Sequence, residues 1–299
     1  MELELKKECL DTYELGEPQT LTQEETAETI VPDYCPDIAR IISAEGVVCL
    51  HGGTEQDGVT GTVRVTVLYT PENESGVRAL EFAMPFSAQG EGLAGCAHVV
   101  VETEIELLES RMLNPRKIFT RCKLVTHLAG CRKVCLTISS DAETDPALLV
   151  EKRCCGQTVS LLRQVAEKDL TFSETMSLSL GREGAAELLH CRANGIVTET
   201  KAIGNKLIFK GVFTVSLLYR DNNSKYTSFT GELPFSQILE VEGAAEGTEA
   251  AVYLQVTGAD FQIDGGDPEG RDIAVTLYLH AAALLRQERE VSLLSDLYS

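Results

Sequence analysis

Apolar and polar residues alternate along much of this chain with a period of two. The alternating apolar positions are clearest at Val63, Val65, Val67, Phe213, Val215 and Leu217. Successive side chains of a β-strand point to opposite faces, so this pattern predicts half-buried strands. Segments rich in Gly, Asn, Asp and Pro separate the strand-like runs at 71–76, 221–224 and 265–270 and predict tight turns.

The strand pattern occurs twice. Gly61–Tyr69 aligns with Gly211–Tyr219, and the Pro-Phe-Ser strings that begin at Pro85 and Pro234 fall at nearly the same spacing. Several matches in one order at one spacing indicate two copies of a domain. We therefore place a first β domain with an acidic N-terminal lead at 1–145 and a second at 146–299.

The fold class expected is all-β, with two tandem antiparallel sandwich-like or barrel-like domains and short helices. The helices are expected at 36–43 and 183–191, where Pro36 suits a first helical turn. A first strand is expected at 3–10. The polar, proline-containing stretch 139–150 is the best candidate for the linker between the domains.

Charge narrows the classes of partner. The chain has 26 basic and 46 acidic residues, a net charge of −20. Such a surface repels phosphate backbones and anionic lipids, which disfavours nucleic-acid and membrane binding. No run of 18 apolar residues occurs, and the N-terminus lacks the pattern of a signal peptide. We expect a cytoplasmic location.

The ten cysteines show no CxxC pair, which gives little support to a zinc site. Without an export signal they are expected to be reduced, half-buried small residues. A nucleophile and base formed by Cys35 and His51 is an alternative, but nothing in the sequence orients or activates that pair.

Other patterns of known chemistry are missing from the sequence. It has no phosphate-binding loop, no GxSxG and no HExxH. The acidic loop from Asp264 to Asp272 could bind calcium, but its residues fit a solvated hairpin tip better than a calcium-binding loop. No tryptophan and only 6% aromatic residues leave little for sugar stacking. The sequence predicts no catalytic residue, no metal and no cofactor; a metal- or carbohydrate-binding β module and a Cys-dependent enzyme stay as alternatives.

A charged hairpin is expected around Asn114-Pro115. Acidic residues precede this turn and basic residues follow it. Acids face bases across the pair only if the numbers of paired residues sum to an odd value. A sum near 225 places Glu104 opposite Arg121, Glu102 opposite Lys123 and Glu109 beside Arg116, and the apolar face should keep this parity even if the sum differs by two. The same register turns Val101, Thr103, Ile105 and Leu107 to the apolar face.

The basic residues of this hairpin are also candidates for a docking surface on an otherwise acidic protein. The candidate partner-binding residues are Arg111, Arg116, Lys117, Arg132 and Lys133. Ion pairing between the two strands of the hairpin accounts for the acidic residues before the turn and the basic residues after it. For the hairpin as a whole we therefore favour this pairing over docking of a partner.

Several strings resemble the SPOCS domain family of spore-forming Firmicutes. They are Val31–Ile41, Thr62–Tyr69, Pro85–Ser87, Ser110–Lys117, Val197–Ile203, Val215–Arg220 and Leu233–Leu239. The resemblance implies a non-enzymatic scaffold of sporulation on the mother-cell side of the developing spore. It also implies a partner of the spore-coat morphogenetic ATPase type. Family members often carry a C-terminal LysM module. This sequence has no such module, so the resemblance suggests that it is a fragment of a longer protein.

The Val31–Ile41 string is expected to be a structural plug at one end of the first domain. Two prolines restrict its backbone. Tyr34, Ile38, Ile41 and Ile42 are expected to reach inward from a short helix that packs on the sheet.

Overall fold

The structure, a computed structural model, describes residues 4–51, 58–143, 150–179, 181–242 and 247–298, and within them the chain is all-β with no helix. Its strands are β1 (Glu4–Leu15), β2 (Gln19–Ile30), β3 (Ile38–His51), β4 (Gly58–Pro71), β5 (Arg78–Gln89), β6 (His98–Asn114), β7 (Lys117–Glu143), β8 (Glu151–Ser177), β9 (Ala185–Ile203), β10 (Lys206–Asp221), β11 (Tyr226–Glu240), β12 (Glu249–Ile263) and β13 (Asp272–Tyr298).

The expected short helices are wrong. Strand β3 begins at Ile38 and β9 begins at Ala185, so both stretches enter a sheet. Each runs antiparallel to the central strand of its sheet, and the ladder bonds satisfy the backbone groups that a helix would have paired internally. The expected barrel is also absent, because none of the sheets formed by the described residues closes.

In the first repeat, two antiparallel sheets face each other. One has the order β3–β4–β5. In the other, β7 is central and β6 lies on one side. Strands β1 and β2 share the opposite side end to end: β2 pairs with residues 117–128 of β7, and β1 pairs with residues 131–143.

The second repeat has the same strand order. Its sheets are β9–β10–β11 and β8–β13–β12, and the continuous strand β8 takes the place of β1 and β2. The two aligned segments that first indicated a repeat are parts of the central strands β4 and β10, as predicted. The proposed boundary at 145/146 lies outside the described residues.

Details of the ladder repeat as well. A bulge displaces Glu106 in β6, and a bulge at the equivalent place displaces Thr257 in β12. The buried Tyr69 hydroxyl donates to the Pro36 carbonyl at 3.3 Å, and the buried Tyr219 hydroxyl donates to the Glu183 carbonyl at 3.4 Å. Each tyrosine thus ties the end of a central strand to the chain just before the strand beside it.

Each repeat has its own core between its two sheets. In the first, Val63, Val65 and Val67 pack against Ile118 and Leu124 of the facing sheet. In the second, a larger core forms around aromatic residues, with Phe213 lying 4.9 Å from Phe172 and 4.4 Å from Phe235 between ring centroids. The alternating pattern in the sequence therefore marks the faces that meet in each sandwich.

The long strands also join the two repeats. Beyond its sandwich, β7 continues with β1 as a two-stranded ribbon that packs on the corresponding parts of β8 and β13. Leu10 is 1% exposed there and packs with Leu161 and Val291. The buried Thr12 hydroxyl donates to the Leu162 carbonyl at 3.1 Å.

This continuation corrects the expected linker. Residues 139–143 belong to β7, because they pair with β1 and help to form the ribbon. Residues 144–149 lie outside the described residues.

We expect Leu10→Ala to lower the free energy of unfolding by about 2–5 kcal/mol, because it opens a cavity between the ribbons. Leu136, directly opposite Leu10 in the ladder, is 48% exposed, so Leu136→Ala is the matched control and should change stability little. Urea denaturation of both variants measures the difference. Equal effects would contradict the buried inter-repeat contact.

Candidate interaction surfaces

The charged hairpin forms around the predicted turn, but in a different register. Glu104 lies opposite Val125, four residues from the predicted partner Arg121, and Glu102 lies opposite His127. Glu109 lies opposite Arg121 and not beside Arg116. The predicted parity holds along this part of β6, because Glu104 and Arg121 lie on one face and Ile105 opposes Leu124 on the other.

The bulge at Glu106 breaks that parity further along β6. Leu107, predicted to face inward, is 37% exposed, and Leu108 packs on the core in its place. Glu106 bonds Lys123 at 2.8 Å. Arg121 bonds Glu24 of β2 at 2.7 Å, from the opposite edge of β7, a partner that the hairpin alone did not suggest.

Arg116 holds the 31–37 loop at the end of the first repeat. Its guanidinium donates to the carbonyls of Val31 and Cys35, both at 2.8 Å. It also bonds the carboxylates of Asp37 at 3.0 Å and Asp33 at 3.1 Å. A planar guanidinium suits this set because its donors point in several fixed directions.

The expected plug is therefore only partly right. Ile38 is fully buried and Ile41 packs on the core, as predicted. Tyr34, however, is 87% exposed and Ile42 is 50% exposed, so neither reaches inward. Because Ile38 begins a strand, successive side chains turn to opposite faces instead of gathering on one side of a helix.

The other predicted docking residues also have contacts within the chain. Lys117 pairs with Glu28, and Arg132 donates to the Gly92 carbonyl. Arg111 lies over the Phe119 ring at 4.9 Å, and Lys133 lies over the Tyr13 ring at 5.7 Å.

These basic residues lie in two groups and not in one patch. Lys117 and Arg132 are fifteen positions apart in the extended strand β7, which corresponds to about 50 Å at the usual rise per residue. Arg111 and Arg116 lie at the turn with Lys117, and Lys133 lies beside Arg132. Their role in partner binding stays a prediction.

A cleft of about 640 Å³ separates the two repeats beside the ribbons. Five consecutive residues of β6, 99–103, form one wall. The outer face of the β8–β13–β12 sheet forms the floor, with Tyr253, Asp169 and His280 among its side chains. The cleft ends where Val100 packs against Leu284 and its neighbours, the contact that joins the repeats.

Polar bonds cross between the repeats along this boundary. His98 lies 3.4 Å from Glu167, and the His190 ring lies 2.9 Å from Glu45. Arg64 donates to the Ala259 carbonyl at 2.9 Å. Sequence reasoning missed the cleft, because its walls come from strands that are far apart in the chain.

The structure changes the expectation for two cysteines. Cys9 and Cys135 form a disulfide between β1 and β7, so the expectation that all ten are reduced is wrong for this pair. They lie on neighbouring strands with Cα atoms 5.5 Å apart, a separation typical of disulfides. The sequence concealed the pair because 126 positions separate them.

Cys35 and His51 do not meet. Cys35 precedes β3 and His51 is its last residue, so the length of a 14-residue strand separates them. Cys122 is buried and Cys191 is partly buried, and desolvation raises the pKa of Cys122 to about 11 and that of Cys191 to about 12. Burial therefore keeps these two sulfurs protonated and weakly nucleophilic at neutral pH.

The acidic loop at 264–272 uses its carboxylates to hold its own turn. Asp267 accepts from the backbone amides of Glu269 at 3.0 Å, of Asp272 at 2.9 Å and of Arg271. These bonds lower the pKa of the Asp267 carboxyl. The Asp264 carboxylate accepts from the Gly266 amide at 2.9 Å. The arrangement is that of the predicted hairpin tip.

Comparison with known proteins gives a match to one family model over part of the chain. The family model described as SipL, SPOCS domain, matches residues 185–264. The match extends from the first residue of β9 through β12, four strands of the second repeat. The sequence-based resemblance to the SPOCS family is thus confirmed for this segment. No curated protein and no solved structure gives a significant match. Within the described residues, no helix is long and apolar enough to cross a membrane.

We expect Arg116→Ala to lower the free energy of unfolding by about 2 kcal/mol, because it leaves two carbonyls without their charged donor. Amide hydrogen exchange should accelerate in residues 31–38. The control is Arg271→Ala at the equivalent turn of the second repeat, where the guanidinium bonds the neighbouring Glu269 at 2.9 Å. If exchange in the 31–38 loop is unchanged, Arg116 does not hold it.

Alkylation of the native protein without reductant should separate the eight free cysteines by burial. At pH 8 the exposed Cys154 should react quickly, and Cys122 and Cys191 should stay unmodified. A pKa of about 11 leaves about one thiolate in a thousand at that pH. Mass spectrometry of the peptides measures each site, and Cys9 and Cys135 should react only after reduction. Rapid labelling of Cys191 would contradict the packing described.

Proposed function

We propose that this chain is a non-enzymatic structural and interaction protein of sporulation, which scaffolds assembly of the spore coat through protein–protein contacts. The observation that carries the proposal is the SPOCS family match over β9–β12. The matched strands contribute one sheet and part of the other to the second repeat, and the first repeat has the same strand order. Two such repeats provide a large surface for contacts.

The arrangement of the repeats supports a scaffold. The ribbons pack through buried side chains, and hydrogen bonds from side chains to backbone carbonyls cross between the repeats. Partners bound to the two repeats would therefore be held at a set separation, which is what a scaffold requires. The net charge of −20 favours partners with basic surfaces.

The proposed partner is a spore-coat morphogenetic protein of the ATPase type, and the proposed location is the mother-cell side of the developing spore. Two basic groups are available for an acidic part of that partner. One comprises Arg111 and Lys117 near the hairpin turn, and the other comprises Arg132 and Lys133 near the ribbon. Arg116 contributes to the first group indirectly, because it holds the loop that carries the exposed Tyr34.

A metal-binding role is the second candidate, and one observation favours it. Ligand atoms of Cys9, Asp11 and Cys135 lie within 4.8 Å of one another on the exposed face of β1 and β7. Because the disulfide occupies both sulfurs, these groups offer a soft-metal site only after reduction. Metal analysis of the reduced protein distinguishes the roles, since one tightly held Zn²⁺ per chain would favour the metal module.

The scaffold proposal predicts capture of one coat protein from extracts of sporulating cells and not from extracts of vegetative cells. The full chain serves as the immobilised bait, and mass spectrometry identifies the captured protein. The double variant Arg132→Glu/Lys133→Glu and the double variant Arg111→Glu/Lys117→Glu each reverse one basic group. We expect at least one of them to reduce capture about tenfold through repulsion of the acidic partner.

The control is Lys201→Glu/Lys206→Glu, which makes the same charge change on the exposed β9–β10 hairpin. It should capture as much partner as the unmodified chain. Full capture by both test variants would contradict docking through the basic groups. Capture of no coat protein by the unmodified chain would contradict the scaffold proposal itself.

A further inference from the structure

We propose that the cleft between the repeats binds an extended basic segment of a partner protein, which pairs with the free edge of β6 as an added strand. This inference rests on the proposed function and names the chemistry of the partner at one place on the surface. It differs from docking through the basic groups, which lie outside the cleft.

The first observation is the edge of β6. In the part of the chain that the structure describes, β6 pairs with β7 on one side and with no strand on the other. All five consecutive residues 99–103, which belong to both faces of the strand, border the cleft, as expected when a strand presents its edge to an open space. Unpaired edge groups are a ready template for another strand.

The second observation is the length of the free edge of β6 and the size of the cleft beside it. Five residues of extended chain span about 17 Å, the length of the free edge at 99–103. The volume of about 640 Å³ lies within the range of ligand-binding clefts. Val99, Val101 and Leu50 border the cleft and are only partly buried, so alternate side chains of an added strand would meet apolar surface.

The third observation is the sign of the charge. Glu102, Glu167 and Asp169 border the cleft, and no lysine or arginine is among the described residues that line it. The Tyr253 ring, 49% exposed on the floor, offers a face on which a cationic side chain stacks. Apolar and acidic surface together fit a segment in which apolar residues alternate with Lys or Arg.

These observations distinguish the cleft from a simple packing defect between the repeats. A packing defect would be lined by side chains that face each other across a closed boundary. This cleft instead exposes a strand edge, a partly exposed aromatic ring and Asp169, whose side chain is 80% exposed. The contact at Leu284 closes one end and leaves the rest accessible.

The test uses the full chain and a fluorescein-labelled hexapeptide of alternating lysine and valine, with binding measured by fluorescence anisotropy. Three changes are compared. A peptide with glutamate in place of lysine reverses the charge, and a peptide N-methylated at alternate residues removes the ladder donors. The protein variant Glu102→Gln/Asp169→Asn removes two charges from the cleft, and Glu232→Gln/Glu240→Gln is the matched control on β11.

We expect the lysine–valine peptide to bind and the glutamate–valine peptide not to bind. N-methylation and the cleft variant should each weaken binding at least fivefold, and the control variant should change it less than twofold. Equal losses in the cleft and control variants would mean that the overall charge attracts the peptide, which overturns the inference. Undiminished binding of the N-methylated peptide would overturn strand addition.

Competition separates this inference from the proposed function. Excess lysine–valine peptide should displace a captured coat protein from the full chain. Capture of a coat protein that resists the peptide, together with no anisotropy change, refutes the cleft and leaves the scaffold proposal intact. Binding of the peptide at the cleft with no coat protein captured refutes the scaffold proposal and leaves the cleft as a peptide site.

Discussion

Strand β13 is buried on both faces at residues 281–285, and the relation between the two repeats depends on this. Ala281, Ala283 and Leu285 face the core of the second repeat. On the other face, Leu284 packs with Cys131 of the first repeat. Small alanine side chains allow a close approach from both sides. Leu284 on one face and Leu285 on the other supply apolar area, and the removal of that area from water stabilises both contacts. One short segment thereby belongs to two cores.

The cleft follows from the same contact. The outer face of the β8–β13–β12 sheet contacts the first repeat at Leu284 and forms the floor of the cleft beside that contact. Beyond the contact the edge of β6 is left open, and polar side chains take over the floor. A stable inter-repeat contact and an open binding surface are thus adjacent parts of one sheet face.

The charged residues behave differently from what their abundance suggests. The predicted docking residues are held by carboxylates, carbonyls or aromatic rings of the same chain. Exposed ion pairs contribute little to stability, so most of these contacts orient side chains more than they hold the fold. Arg116 is the exception, because its guanidinium organises a loop that has no other regular structure.

Much of the architecture could be predicted from alternation alone. The period of two identified β4 and β10 and the inward position of Val63, Val65 and Val67. The repeat predicted two halves with one strand order, and the parity of β6 before its bulge was right. Alternation succeeded there because the side-chain period of a strand is set by covalent geometry and does not depend on distant residues.

Other features were decided only by tertiary structure. Residues 38–43 and 185–191 form strands and not helices because a neighbouring strand is present to pair with them, which a local pattern cannot report. The bulge at Glu106, the Cys9–Cys135 disulfide and the cleft each join or displace segments that are far apart in sequence. The continuous run of apolar residues at 281–285 could have indicated this contact, because a strand without alternation is typically buried on both faces. The sequence alone determined which residues turn inward along each strand; tertiary packing decided what those faces meet, because a contact depends on both partners.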